Sequence, residues 1–148
     1  MQTIVVGIDG SENGIRALRW ALDHASTVGA RVLAVHAWGV PTFAFGGPGY
    51  VSAVDPSEYA RAANATLDEA LAGPASDLPA GVELERRAVE GGAAGELIDV
   101  AREVGAALLV VGSRGHGGFA GLLLGSVSAT LAHHTPCPLV IVPPVTHA

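Results

Sequence analysis

The chain predicts an α/β domain: an open parallel sheet with helices on both faces. Three observations predict it. Five short apolar runs alternate with four helical patterns; all but one of the runs are almost unbroken in their hydrophobicity; and loops rich in glycine or small polar residues follow them. The length of 148 residues suits one domain, taken as 1–148.

The runs fall at residues 3–8, 31–37, 82–89, 106–111 and 138–142. Continuous apolarity in the first, second, fourth and fifth marks strands covered on both faces, as in a parallel sheet. The third alternates, with Glu83, Glu85 and Arg87 set between Val82, Leu84 and Arg86, and is expected at or near a sheet edge. Between the runs, residues 13–28 place Ile15, Leu18, Leu22 and Ala25 on one helical face, with Ser11 or Asn13 as N-cap. Asp55-Pro56-Ser57-Glu58 is the clearest helix start: Asp55 caps, Pro56 suits the first turn and Glu58 completes a capping box. That helix runs through Tyr59, Ala63, Leu67 and Leu71 and is expected to stop at Gly73-Pro74. A third helix near residues 94–104 uses Leu97, Val100 and Ala101, and a fourth begins at Ser126 and ends by Thr135-Pro136. Strands alternating with helices require right-handed crossovers. The stretch from Trp38 to Val54 is rich in glycine, proline and aromatics and reads as a long surface loop or lid.

Composition excludes several classes. The chain is 49% hydrophobic and its mean hydropathy is +0.42, yet no apolar run approaches the roughly 18–20 residues of a spanning helix. Too much is apolar and too little charged for a disordered chain. The first ten residues show no basic leader or cleavage site, and Cys137 is the only cysteine, so a cytoplasmic protein without disulfides is expected. Cys137 opens an apolar strand and is expected to be a buried structural thiol.

Charge is unevenly spread. All 8 basic residues are arginine, and 14 carboxylates give a net charge of −6, which argues against nucleic-acid binding. The last carboxylate is Glu103, and the following 45 residues hold one arginine, Arg114, and four histidines. A buried carboxy-terminal part of the sheet explains this in part; an anion bound there explains it more sharply.

In open α/β sheets, ligands bind beyond the carboxyl ends of strands where the strand order reverses. The loop after the fourth run holds six glycines between Gly112 and Gly125 and leads straight into the helix starting Ser126-Val127-Ser128. Glycine admits close approach to main-chain N–H groups, a helix N-terminus carries free donors and partial positive charge, and the hydroxyls of Ser126 and Ser128 add donors. Together these point to a phosphate cradle. It is no Walker A loop, because the chain has no lysine. A dinucleotide fingerprint fits poorly: Gly115-His116-Gly117-Gly118 follows the fourth strand, and no acid lies about 20 residues beyond it. Asp9, at the end of the first run, either holds a ribose hydroxyl or faces a phosphate-bound divalent ion, or else only helps to cap the first helix.

The spacing Gly112-x2-Gly115-x9-Gly125-Ser126 resembles the ATP-binding signature of the universal stress protein family. Val5-Val6-Gly7-Ile8-Asp9-Gly10-Ser11, Val35-His36-Ala37 and Pro136-Cys137-Pro138-Leu139-Val140-Ile141-Val142 carry the likeness across the chain. It implies a Rossmann-like sheet in the order 3-2-1-4-5 with ATP at its carboxyl edge, between strands 1 and 4. Gly7, Ile8 and Asp9 would then line the ribose and phosphate side, and Ala37 would meet adenine through its main chain. Val111, Gly112, Arg114 and Gly115 would surround ribose and phosphates, and Gly125, Ser126, Val127 and Ser128 would cradle the phosphates. As Arg114 is the one fixed cation of this loop, Mg²⁺ would take part of the phosphate charge. The resemblance also implies a homodimer through the last strand, from Pro138 to Val142, which is apolar, uncharged and otherwise an exposed edge. Little intrinsic hydrolysis is expected, the alternatives being a slow Mg-dependent ATP hydrolase or a dimeric scaffold that binds no nucleotide. His133 and His134, adjacent on a helix, face different ways and make a poor metal pair. His116 has a better claim as a phosphate contact. His36 reads as a satisfied structural histidine, and Trp20 and Trp38 as packing residues.

Overall fold

The computed structural model describes residues 1–40, 55–114 and 124–145. Its elements are β1 (Thr3–Gly7), α1 (Glu12–Val28), β2 (Arg31–Trp38), α2 (Pro56–Ser76), β3 (Leu84–Glu90), α3 (Ala93–Glu103), β4 (Leu108–Gly112), α4 (Ser126–His134) and β5 (Leu139–Val142). The strands form one sheet in the order β3-β2-β1-β4-β5, and every neighbouring pair is parallel. β1 is central: the chain leaves it toward β2 and β3, then returns to build β4 and β5 on its other side. The order therefore reverses between β1 and β4.

Alternation along each strand divides the core in two. Ile4, Val6, Val32, Ala34, Val110 and Val142 face one way, against Leu18 and Leu22 of α1 and Leu67 and Leu71 of α2. Val5, Leu33, Val35, Leu109 and Val111 face the other way, against Leu97 and Val100 of α3 and Leu131 of α4. Two covered faces are why these strands read as unbroken apolar runs. β3, the strand with alternating charge, lies at one edge and β5 at the other.

Helix boundaries follow local chemistry. Ser11 caps α1 by accepting a hydrogen bond from the Gly14 N–H, and Gly29 closes it in the left-handed conformation at φ 72°. α2 corrects an expectation, because it continues through Gly73-Pro74 to Ser76. Gly73 has no Cβ to clash with the proline ring, so the helical conformation before Pro74 remains open. The ring itself is buried, and the Ser76 hydroxyl donates to the Gly73 carbonyl at 2.7 Å. Trp20 corrects another: it is 37% exposed and stacks on His24, ring centroids 5.0 Å apart. Cys137 is half-buried rather than buried; partial desolvation pushes its thiol above the usual value, and Thr135 partly offsets this.

Asp55 starts α2 as expected, its carboxylate accepting from the Ser57 N–H at 2.9 Å. The hydrogen bonds from Ser57 hold this carboxyl below its usual value. A depressed folded-state value means that the cap's contribution is complete above the unfolded carboxyl's value and is lost as pH falls through the lower folded one. Asp55→Ala is therefore expected to melt below the parent at neutral pH, with the gap narrowing in strong acid. A gap unchanged between pH 7 and pH 2 would show that the carboxylate's charge is not involved.

Candidate functional site

The carboxyl end of β1 is held by its neighbours. The Ile8 N–H donates to the Val35 carbonyl at 2.8 Å, and His36 Nδ1 donates to the Ile8 carbonyl at 2.7 Å. His36 is thus the satisfied histidine the sequence suggests. Beyond Ile8, Asp9 Oδ1 accepts from both the N–H and the hydroxyl of Ser11, at 2.9 and 2.5 Å. The Ser11 oxygen in turn accepts from the Gly14 N–H at 3.1 Å. Asp9 therefore orients the N-cap of α1 through Ser11. Gly14 belongs to the same arrangement, since a Cβ there would lie 2.8 Å from Asp9 Oδ1.

At the end of β4 the organising group is the Ser113 carbonyl. It accepts from the Gly125 N–H at 2.6 Å and from the Ser128 hydroxyl at 2.9 Å. Residues 115–123, including Gly115 and His116, lie outside the described residues, as do residues 41–54 of the aromatic loop. The two ends of the glycine-rich segment are nonetheless tied together at Ser113. This sets the first turn of α4 directly beyond β4.

The α4 N-terminus differs from the other three described helices. α1, α2 and α3 each carry an acid in the first turn, Glu12, Glu58 and Glu96. α4 has none, and, as at Gly92 of α3, its N-cap is a glycine, Gly125, with no side-chain cap. The N–H groups of Ser126, Val127 and Ser128 precede the first intrahelical bond, from Ala129 to the Gly125 carbonyl at 3.0 Å. They keep their donor capacity and the helix's partial positive charge for a group from outside the helix.

The residues named from sequence separate by role. Asp9, Gly112, Arg114 and Gly125 to Ser128 come together at the β1–β4 reversal. Ala37 lies on β2, paired with Val89 of β3, about 10 Å across the edge from β4 at two inter-strand spacings. Val111 is buried and Ile8 is 4% exposed, with both of its backbone groups engaged. Ser128 is 2% exposed and its hydroxyl donates to the Ser113 and Gly125 carbonyls, so its proton is directed into the protein. Ser126 is exposed. Glycine also works differently here than the ligand-approach argument anticipates. A Cβ on Gly7 would meet Leu97 Cδ1 at 2.8 Å, and one on Gly112 would meet Asn13 Cγ at 2.9 Å. The groups that approach these two glycines are the protein's own.

Asn13 was seen in the sequence only as an alternative cap. Its Nδ2 donates to the Val142 carbonyl at 3.0 Å, and its Oδ1 accepts from the Arg114 N–H at 3.0 Å. One local signal hints at this role: Ser11 already satisfies the cap, leaving the carboxamide two residues on without a capping task. Among the described residues no group of three or more His, Cys, Asp or Glu side chains could hold a metal ion, and no helix is long and apolar enough to cross a membrane.

A family model described as the universal stress protein family matches residues 1–143. A universal stress protein of Mycolicibacterium smegmatis is 36% identical over 145 residues, covering 95% of this chain and 45% of the relative. The chain thus spans about half the length of the curated relatives it matches. Among solved structures, a universal stress protein in complex with cAMP is 32% identical, with a TM-score of 0.70 over 96% of each chain. The universal stress protein from Archaeoglobus fulgidus in complex with dAMP is 25% identical, with a TM-score of 0.69 over 96% of this chain and 98% of that one.

Proposed function

The chain belongs to the universal stress protein family, and on that premise we propose that it is an ATP-binding regulatory protein whose nucleotide lies across the β1–β4 reversal. The observation that carries this reading is the uncapped, acid-free first turn of α4, fixed to the end of β4 through Ser113. The adenine nucleotides named with the two solved relatives support the ligand class. Gly125, the N-cap, and the main-chain N–H groups of Ser126, Val127 and Ser128 cradle the phosphates, with Ser126 the exposed hydroxyl. Asp9 stands on the ribose side beside Gly7 and Ile8, and Ala37 lies where the base would reach. Val111, Gly112 and Arg114 form the wall between, and Gly115 continues it. Arg114 is the only arginine or lysine after Glu103, so a bound Mg²⁺ supplies the remaining countercharge. The nucleotide is kept as a ligand and scarcely turned over. The binding unit is one domain, 1–148, working in the cytoplasm and without nucleic acid.

Denaturing freshly purified protein and identifying the released nucleotide tests this reading, together with titration of Mg-ATP into the emptied protein. Adenine nucleotide in the supernatant and saturable binding are expected. Neither appearing would reject the reading, and phosphate release above that of an Asp9→Ala control would make the protein a hydrolase instead.

The same reading includes a homodimer through β5. Leu139, Val140 and Ile141 stay half-exposed at an edge that carries no charge. Pairing with a second copy would cover them. Ile141→Arg is expected to weaken the dimer about tenfold or more in sedimentation, since a charge without a partner would be buried there. A parent protein that sediments as a monomer at all concentrations would remove the dimer.

A further inference from the structure

We propose that Asn13 is the positioning residue of the nucleotide site: its carboxamide holds the stem of the phosphate loop at Arg114 against the end of strand β5. The inference rests on the nucleotide-binding reading above and names a residue that reading does not use.

Asn13 is the second residue of α1, with its side chain at the meeting point of three elements. Oδ1 accepts from the Arg114 N–H at 3.0 Å and lies 3.5 Å from the Ser113 hydroxyl. Nδ2 donates to the Val142 carbonyl at 3.0 Å, and that carbonyl also accepts from the Ser113 N–H at 2.9 Å. The two partners demand opposite chemistry, because an N–H needs an acceptor and a carbonyl needs a donor. A carboxamide of this length supplies both, whereas aspartate supplies only acceptors and leucine neither. The contact is close because Gly112 has no side chain where the carboxamide lies.

The consequence concerns phosphate in particular. Arg114 is the second residue after β4, within the glycine-rich loop, and Gly125, the N-cap of α4, donates its N–H to the Ser113 carbonyl. Asn13 therefore fixes the direction in which the loop leaves β4, with its other hand on β5. Both ends of its carboxamide are engaged by the protein itself, so its effect is on the geometry of the donors. Capping is not its task, for Ser11 does that.

The test compares Asn13→Ala and Asn13→Asp with the parent in binding ATP, AMP and adenosine by calorimetry. Asn13→Ala loses both bonds of the carboxamide; it should weaken ATP and AMP by about 5–10-fold, the value of the one bond that holds Arg114, and leave adenosine within about twofold. Asn13→Asp loses the donor and adds a negative charge, so its loss should be larger for ATP than for AMP and should shrink as salt is raised. Equal weakening of all three ligands would mark a merely structural role and overturn the proposal, as would parental ATP affinity in both variants. If the parent binds none of the ligands, the underlying reading has failed and the inference falls with it. Amide hydrogen exchange in the unsubstituted protein gives a check that needs neither variant nor ligand. The Arg114 N–H should be protected, and exchange at the rate of a free amide would remove the bond on which everything here depends.

Discussion

Ser126→Glu is expected to act in opposite directions on stability and on binding. Without nucleotide the variant should melt at a slightly higher temperature than the parent, because it gives α4 the first-turn acid that α1, α2 and α3 already have. A carboxylate at a helix N-terminus is worth about 0.3–1 kcal/mol at an exposed position, and Ser126 is exposed. With ATP the sign reverses, since the new charge competes for the same N–H groups and repels the polyphosphate. Two unit charges about 4 Å apart near a protein surface interact by roughly 4 kcal/mol, so a loss of about 100-fold or more in ATP affinity is expected even after screening. AMP, with less charge, should lose less. Thermal melts with and without Mg-ATP measure both effects, because ligand that binds the native state raises apparent stability. A variant that melts higher and still gives the parental shift with ATP would place the phosphates away from α4. A variant that melts lower in both conditions would contradict the account of α4 as an open, positively polarised end.

How far this was legible in the sequence depends on the range of the interaction. β1, β2 and β4 were readable because burial on both faces leaves a one-dimensional trace, β5 because its edge is apolar though only half-buried, and β3 because an edge tolerates alternating charge. The α4 start was readable from Gly125-Ser126 and the absence of acids. Equating Ser126 with Ser128 passed over helical periodicity: Ser128 is three residues before the buried Leu131, on the same inward face, and Ser126 is not. The stop placed at Gly73-Pro74 treated proline as a breaker without allowing for the missing Cβ before it. Asn13 was out of reach for a different reason. Its partners lie 101 and 129 residues away, and only the placement of β4 beside β1, with β5 beyond it, brings them together. A local pattern shows at most that the carboxamide is spare as a cap, not which groups it binds.

Gly112→Val should produce the largest loss of stability of the substitutions considered, and binding should fall with it. The Cβ of any other residue at this position lies 2.9 Å from Asn13 Cγ, 3.0 Å from its Oδ1 and 3.1 Å from its main-chain oxygen. The side chain of Asn13 can swing aside, but then its bonds to the Arg114 N–H and the Val142 carbonyl are lost, at about 1 kcal/mol each. The main-chain oxygen cannot swing aside. It belongs to the first turn of α1, whose Leu18 and Leu22 are in the core, so relief there means shifting the helix. Overpacking of this kind costs about 1–3 kcal/mol, and the sum, near 3 kcal/mol or more, should lower the melting temperature by roughly 10 °C in a domain of this size. Gly112→Ala brings one methyl group instead of three carbons and should lie between. Gly39→Ala is the control, because a Cβ there meets nothing within 4 Å among the described residues. If Gly112→Val melted with Gly39→Ala, α1 and β4 would have to be free to separate at low cost. The junction of Asn13, Arg114 and Val142 could then not fix the direction of the phosphate loop, and the stability of the fold and the shape of its site would be independent properties. On the proposed reading of the site, the close approach of Asn13 to Gly112 makes them one.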